Sequence, residues 1–195
     1  GSEFKTYINT PHQDLLTNQR EETDRALVLL ESQLNTIIAD VPRQAVAHLR
    51  KVPLWFTPGY PDVPPRAEYH PGGEWLRDNG RNPAMARGVE FSNIPIFQEE
   101  TVRMPLFVFH ELAHAYHDQV LDSGRSDIMA AYRRAAESKS YDQIKRAPRK
   151  PGGKFTIERA YAMTDHKEYF AETSEAMFAR NDFFPFNRNE LKGHD

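Results

Sequence analysis

The chain contains no cysteine, which excludes a disulfide scaffold, thiol catalysis and any thiolate metal site. Neither sign of charge dominates: 25 basic against 28 acidic residues leave a net charge of −3, which argues against general nucleic-acid binding. No apolar run approaches the roughly 18 residues of a membrane helix, so no membrane span is expected. Internal repeats and composition breaks are also missing, so the expectation is one domain over residues 5–195, with Gly1–Phe4 set aside as a cloning scar. The compartment stays open, because a secreted chain can also lack cysteine and a signal peptide could have been trimmed. What is present is ordinary for a folded protein: 39% hydrophobic, 27% charged and 11% aromatic residues over 195 positions. That length buries a core without help from a staple.

From Pro11 to Asp40 the pattern is that of an amphipathic helix. Leu16, Leu27, Leu30, Leu34, Ile37, Ile38 and Val41 recur at spacings of three and four, with Arg20, Glu21, Glu22 and Arg25 on the other side. A short helix over Gln44–Lys51 follows Pro42. Between Val52 and Phe97 the period shortens: Val52–Thr57 and Arg66–His70 are β-like runs between Pro- and Gly-rich turns, and Arg87–Phe97 is a longer one. Pro95 cannot donate to a ladder, so that end of the run reads as an edge strand, the kind of element an extended peptide can pair with. Pro105–Leu121 and the alanine-rich Ser126–Lys139 are helical, the basic tract Lys145–Lys154 is a mobile exposed loop, and His166–Arg180 is a last helix capped by Asp165 or Thr164. The aromatic tail Asp182–Phe186 should fold back on the core. The fold class expected is α+β, helix-rich, with a small mixed sheet.

One motif carries chemistry. His110-Glu111-Leu112-Ala113-His114 is an H-E-x-x-H signature inside a predicted helix. Histidines four apart lie one turn above each other, so both rings reach one zinc ion. Glu111 stands one position around, where it can take a proton from a metal-activated water as that water attacks a carbonyl. The surrounding helix is otherwise apolar (Leu106, Phe107, Val108, Phe109, Ala113), and polar groups there need a reason. A catalytic zinc also needs a third protein ligand. His117 is the nearest residue, but it reads as a helix-rim histidine, and the extended motif fails because Val120 stands at its last position. The better source is the last helix, where Glu168, Glu172 and Glu175 line one face at i, i+4 and i+7. An exposed acidic face is the plainer alternative for that stripe.

The run from Tyr161 to Glu172 after an H-E-x-x-H helix resembles the zincin metallopeptidases of the anthrax lethal factor protease domain. It is also similar to the Mlc titration factor peptidases and the Pro-Pro endopeptidases. In that group a tyrosine precedes the metal-binding glutamate by seven residues, and the glutamate opens an E-[FY]-F-A run; Tyr161 and Glu168-Tyr-Phe-Ala stand in that register. The resemblance implies a zincin-like domain, with Val89–Phe97 in the place of its substrate-pairing edge strand beside the active-site helix, and one zinc on His110, His114 and Glu168. It also implies that Tyr161 steadies the oxyanion and that Glu172 accepts from the second ring nitrogen of a zinc histidine. The function expected is a zinc-dependent endopeptidase (a hydrolase) acting on a peptide or protein substrate. The alternative is a zinc-binding regulatory or interaction protein with weak or vestigial peptidase activity; a fortuitous motif in a structural domain would bind no metal.

Overall fold

The computed structural model describes residues 4–8, 19–148 and 152–194. The chain forms two compact units, Gly1–Gln98 and Glu99–Asp195. The architecture is α+β, with a small mixed sheet in the first unit and a two-stranded sheet in the second.

In the first unit α1 (Arg20–Asp40) buries Ala26, Leu30, Leu34 and Ile37 along one stripe, as the apolar spacing requires. The expected start of this helix, 11–18 with Leu16, lies outside the described residues, as do residues 1–3 of the scar. After α2 (Arg43–Leu49) the chain enters a four-stranded sheet in the order β1 (Thr6–Ile8), β2 (Leu54–Phe56), β4 (Gly88–Phe91), β3 (Ala67–His70). The first three run parallel and β3 is antiparallel to β4. Parallel strands buried on both faces read as near-continuous apolar runs, and all four residues of β4 are buried. Phe56, Phe91 and Phe97 meet edge-on beneath it, with centroids 5.7–5.9 Å apart. A Cβ on Gly88 would lie 2.8 Å from the Pro53 carbonyl, so the close approach of β4 to the β2 entry needs glycine there.

Here the structure corrects the expectation for Val89–Phe97. That stretch is not an edge: β4 is paired on both sides, and among the described residues the edges are β1 and β3. The strand ends at Phe91. Pro95 sits inside a 3₁₀ turn (Ile94–Ile96), and α4 (Phe97–Arg103) begins at once, with Glu99 and Glu100 in its first turn. Proline removes the ladder donor but suits the start of a helical turn. A short helix, α3 (Gly73–Asp78), also occupies a place where paired glycines suggested only a turn.

The second unit is built on α5 (Phe107–Tyr116) and α7 (His166–Phe178). Helix α5 is apolar on nearly every side, burying Phe107, Val108, Phe109, Leu112, Ala113 and Ala115, the mark of a helix enclosed by its neighbours. It packs on α7, where Phe109 meets Phe178 edge-on at 5.9 Å. At its C-terminal end α5 widens into a π turn over His117–Leu121. Then come α6 (Ser126–Ser138), the hairpin β5 (Ile144–Arg146) and β6 (Thr156–Glu158), and a 3₁₀ turn at Tyr161–Met163 that leads into α7. The chain ends in α8 (Arg188–His194), after a tail that folds back as expected: Phe183 packs with Tyr141, Ile144, Met163 and Tyr169.

The basic tract therefore begins inside a strand rather than in a mobile loop; its residues 149–151 lie outside the described residues. Arg146 is held by Asp182 (3.1 Å) and Glu158 (3.2 Å) and covers the Phe183 ring. Those partners neutralise a charge that the sequence left apparently unbalanced.

Candidate metal centre

Three atoms from two helices converge. His110 Nε2 and His114 Nε2 lie 3.1 Å apart, and the Oε2 of Glu168 lies 3.1 Å from the first and 3.3 Å from the second. Local structure sets each of them. One turn of α5 stacks the two rings. Asp165 caps α7 by accepting from the Lys167 N–H (2.8 Å) and the Glu168 N–H (3.0 Å), which fixes the turn that carries Glu168.

Zinc–ligand bonds of about 2.0–2.1 Å at tetrahedral angles put neighbouring ligand atoms roughly 3.3 Å apart. The three contacts have that size, and two imidazoles with one carboxylate are a donor set zinc accepts. The protonation pattern agrees. His110 Nδ1 lies 2.9 Å from Glu175 Oε2, and Glu175 is fully buried. If Nδ1–H donates to that carboxylate, Nε2 of the neutral ring is a bare lone pair facing both the Glu168 oxygen and the His114 ring. Two acceptors at 3.1 Å repel unless a positive centre sits between them. Burial alone would lower the His110 pKa, but the Glu168 and Glu175 carboxylates hold it well above its ordinary value. Burial would raise Glu168, and its contacts with His110 and His114 hold it below the usual carboxylate range. Both directions come from the same contacts between the rings and the Glu168 carboxylate, where a metal ion can stand in place of a proton. The group fits zinc.

Around these three, the expected residues fall into place unevenly. Glu111 is half-buried on α5, next to His110. Tyr161 opens the 3₁₀ turn before α7, with its ring centroid 6.4 Å from that of His110 and 47% of its surface exposed. Burial and the Glu168 charge push its pKa up to about 12, so the phenol keeps its proton and can donate at neutral pH. Glu172 differs from expectation. The hydrogen bond to the second ring nitrogen goes to Glu175, while the nearer Glu172 oxygen stands 3.6 Å from Nδ1 and Glu172 accepts from Asn181 Nδ2 at 3.0 Å. Burial, with Glu175 and Asp182 close by, raises the Glu172 carboxyl. The signal for Glu175 was in the sequence as the i+7 member of the acidic stripe; nothing there separated its role from that of Glu172.

His117 is not on the helix rim. It is 1% exposed on the π turn, packed against Phe170 (4.7 Å) and His166 (5.8 Å), and neither ring nitrogen has a hydrogen-bond partner among the described residues. Burial, then the nearby His166 and His114, lower its pKa to about 4. It is a neutral packing group, separate from the converging ligands.

The first unit holds a second group with ligand-type atoms, Glu68, His70 and Glu90, which the sequence reading did not single out. Its place for a cation is already filled. Arg81 Nη1 lies 2.7 Å from Glu68 and 3.0 Å from Glu90, under the rings of Tyr60 and Trp75. Glu90 also accepts from Thr57 and meets His70 Nε2 at 2.7 Å. Such a satisfied buried network braces β3 and β4. Set against family models, curated proteins and solved structures, the chain matches none of them.

Proposed function

We propose that this chain is a zinc-dependent endopeptidase, with His110, His114 and Glu168 as the protein ligands of one zinc ion. The observation that carries the reading is the convergence of their three ligand atoms within 3.1–3.3 Å. The zincin-like register of Tyr161 and Glu168 around the H-E-x-x-H helix adds to it. Bound there, zinc supplies Lewis acidity, lowering the pKa of water and polarising a peptide carbonyl.

The chain's own groups do the rest. Glu175 holds His110 in the tautomer that presents Nε2. Glu111 takes the proton from the attacking water and passes it to the leaving amine. Tyr161 donates its hydroxyl hydrogen to the carbonyl oxygen as that oxygen gains charge, a bond that strengthens only toward the transition state. The full set of base, ligands and tyrosine favours an enzyme over a regulatory protein that has kept only its metal.

The test is a peptide-library digest by the zinc-loaded protein beside Glu111→Ala. New amine termini should appear with the parent and fall by about 10²–10⁴-fold in the variant, while both hold zinc. Equal cleavage by the two proteins, or none by the parent, would sink the reading.

A further inference from the structure

Hairpin β5–β6 has one strand paired on both sides and one paired on a single side. Lys145 stands opposite Ile157, between the pairs Ile144–Glu158 and Arg146–Thr156. The Lys145 carbonyl accepts from the Phe184 N–H at 2.8 Å, and Arg146 bridges to Phe183, so the 182–184 segment covers the far side of β5. In an antiparallel ladder, opposite residues alternate between bonding each other and turning both backbone groups outward. Lys145 turns outward, so Ile157 does as well. Its N–H and C=O point to the side of β6 that no strand covers among the described residues.

The side chains along this edge are unusual for one left to solvent. Folded proteins blunt free edges by keeping them short, as β6 is at three residues, and with charge, proline or a bulge. Here the outward residue is isoleucine, 60% exposed, and Phe155 on the same face is 53% exposed. Along the chain the edge also lies close to the proposed centre. Ile157 precedes Tyr161 by four residues, a span of at most about 14 Å, and the Tyr161 ring lies 6.4 Å from that of His110.

We propose that β6 is the edge on which the substrate docks. An extended peptide segment adds to it as a further strand, exchanges backbone hydrogen bonds with Ile157, and sets apolar side chains at alternate positions against Phe155 and Ile157. This rests on the peptidase reading of the metal centre. It also moves the pairing role away from Val89–Phe97, whose strand is already flanked on both sides.

The probe is a fluorescein-labelled decapeptide pool with alternating apolar and polar positions. Binding is read by anisotropy on zinc-loaded Glu111→Ala, and KM and kcat are read on the parent. Ile157→Pro removes the outward N–H, and β5 does not use that donor. It should weaken binding and raise KM by tenfold or more with little change in kcat. N-methylation of the pool at alternate backbone positions tests the same bonds on an unaltered β6; one register should lose tenfold and the other little. If the parent cleaves nothing but Ile157→Pro and N-methylation still abolish binding, the peptidase reading falls and the docking edge stands. If the parent cleaves and neither change affects KM or binding, the docking edge falls and the peptidase reading stands. No binding of the pool, or a parent that sediments as a dimer while Ile157→Pro is a monomer, also overturns it; the second result would give the edge to another copy of the chain.

Discussion

Glu172 and Glu175 lie one turn apart on α7 and both are buried, yet only Glu175 reaches the outer nitrogen of His110. Partners of that kind fix the ring and typically carry 10–100-fold in metal affinity. Glu175→Ala should therefore weaken zinc binding by about that factor in a chelator competition, with partial rescue in Glu175→Gln, which can still accept. A larger loss in Glu172→Ala would return the role to Glu172. Tyr161 invites a different experiment, because the proposed mechanism gives it a role in the reaction and none on the metal. Tyr161→Phe should fold, bind zinc and bind peptide normally while kcat falls by roughly 10²–10³, or about 2.7–4 kcal/mol of lost transition-state stabilisation. Turnover as fast as the parent's would remove the hydroxyl from the mechanism; a change confined to KM would make Tyr161 a binding residue.

At the scale of elements, Asp165 couples a local rule to the site. As the cap of α7 it satisfies two backbone donors, one of them on Glu168 itself. Asp165→Ala should cost about 1 kcal/mol of stability and weaken zinc binding, whereas Thr164→Ala should do neither. A cap loss that leaves zinc affinity unchanged would show that packing alone positions Glu168. The same helix shows what the sequence makes legible. Period and cap chemistry are local, so α1, α5, α6 and α7 and the stacking of His110 on His114 could be read from spacing. Strand neighbours are not local: Arg87–Phe91 reads as a strand, but only the folded sheet gives it a partner on each side. Ligand-shell geometry is equally non-local. The stripe of Glu168, Glu172 and Glu175 was visible, while the choice of Glu175 as His110's partner depends on how α7 rotates against α5.

On the scale of the whole molecule, the buried neutral His117 links stability to pH. Its folded pKa, lowered to about 4 by burial and then by His166 and His114, lies below the ordinary value near 6.5. Between those values the unfolded chain binds a proton that the folded chain does not, so stability falls as pH drops from about 6.5 to 4. The loss should be on the order of 1–3 kcal/mol. Thermal melts of chelator-treated protein should show Tm falling across that window for the parent, with a shallower slope for His117→Leu. Parallel curves would mean that His117 titrates normally in the fold.

The function proposed for this chain depends on a metal held by three particular side chains, so zinc stoichiometry is the measurement that reaches furthest. Protein purified without added zinc, then titrated and assayed for bound metal, should hold one zinc per chain in the parent and in Glu111→Ala. Glu168→Gln should lose most of it, and Glu172→Gln should retain far more. A parent that binds no zinc, or a set in which Glu172→Gln loses as much metal as Glu168→Gln or more, would contradict the assignment of His110, His114 and Glu168 as the metal site.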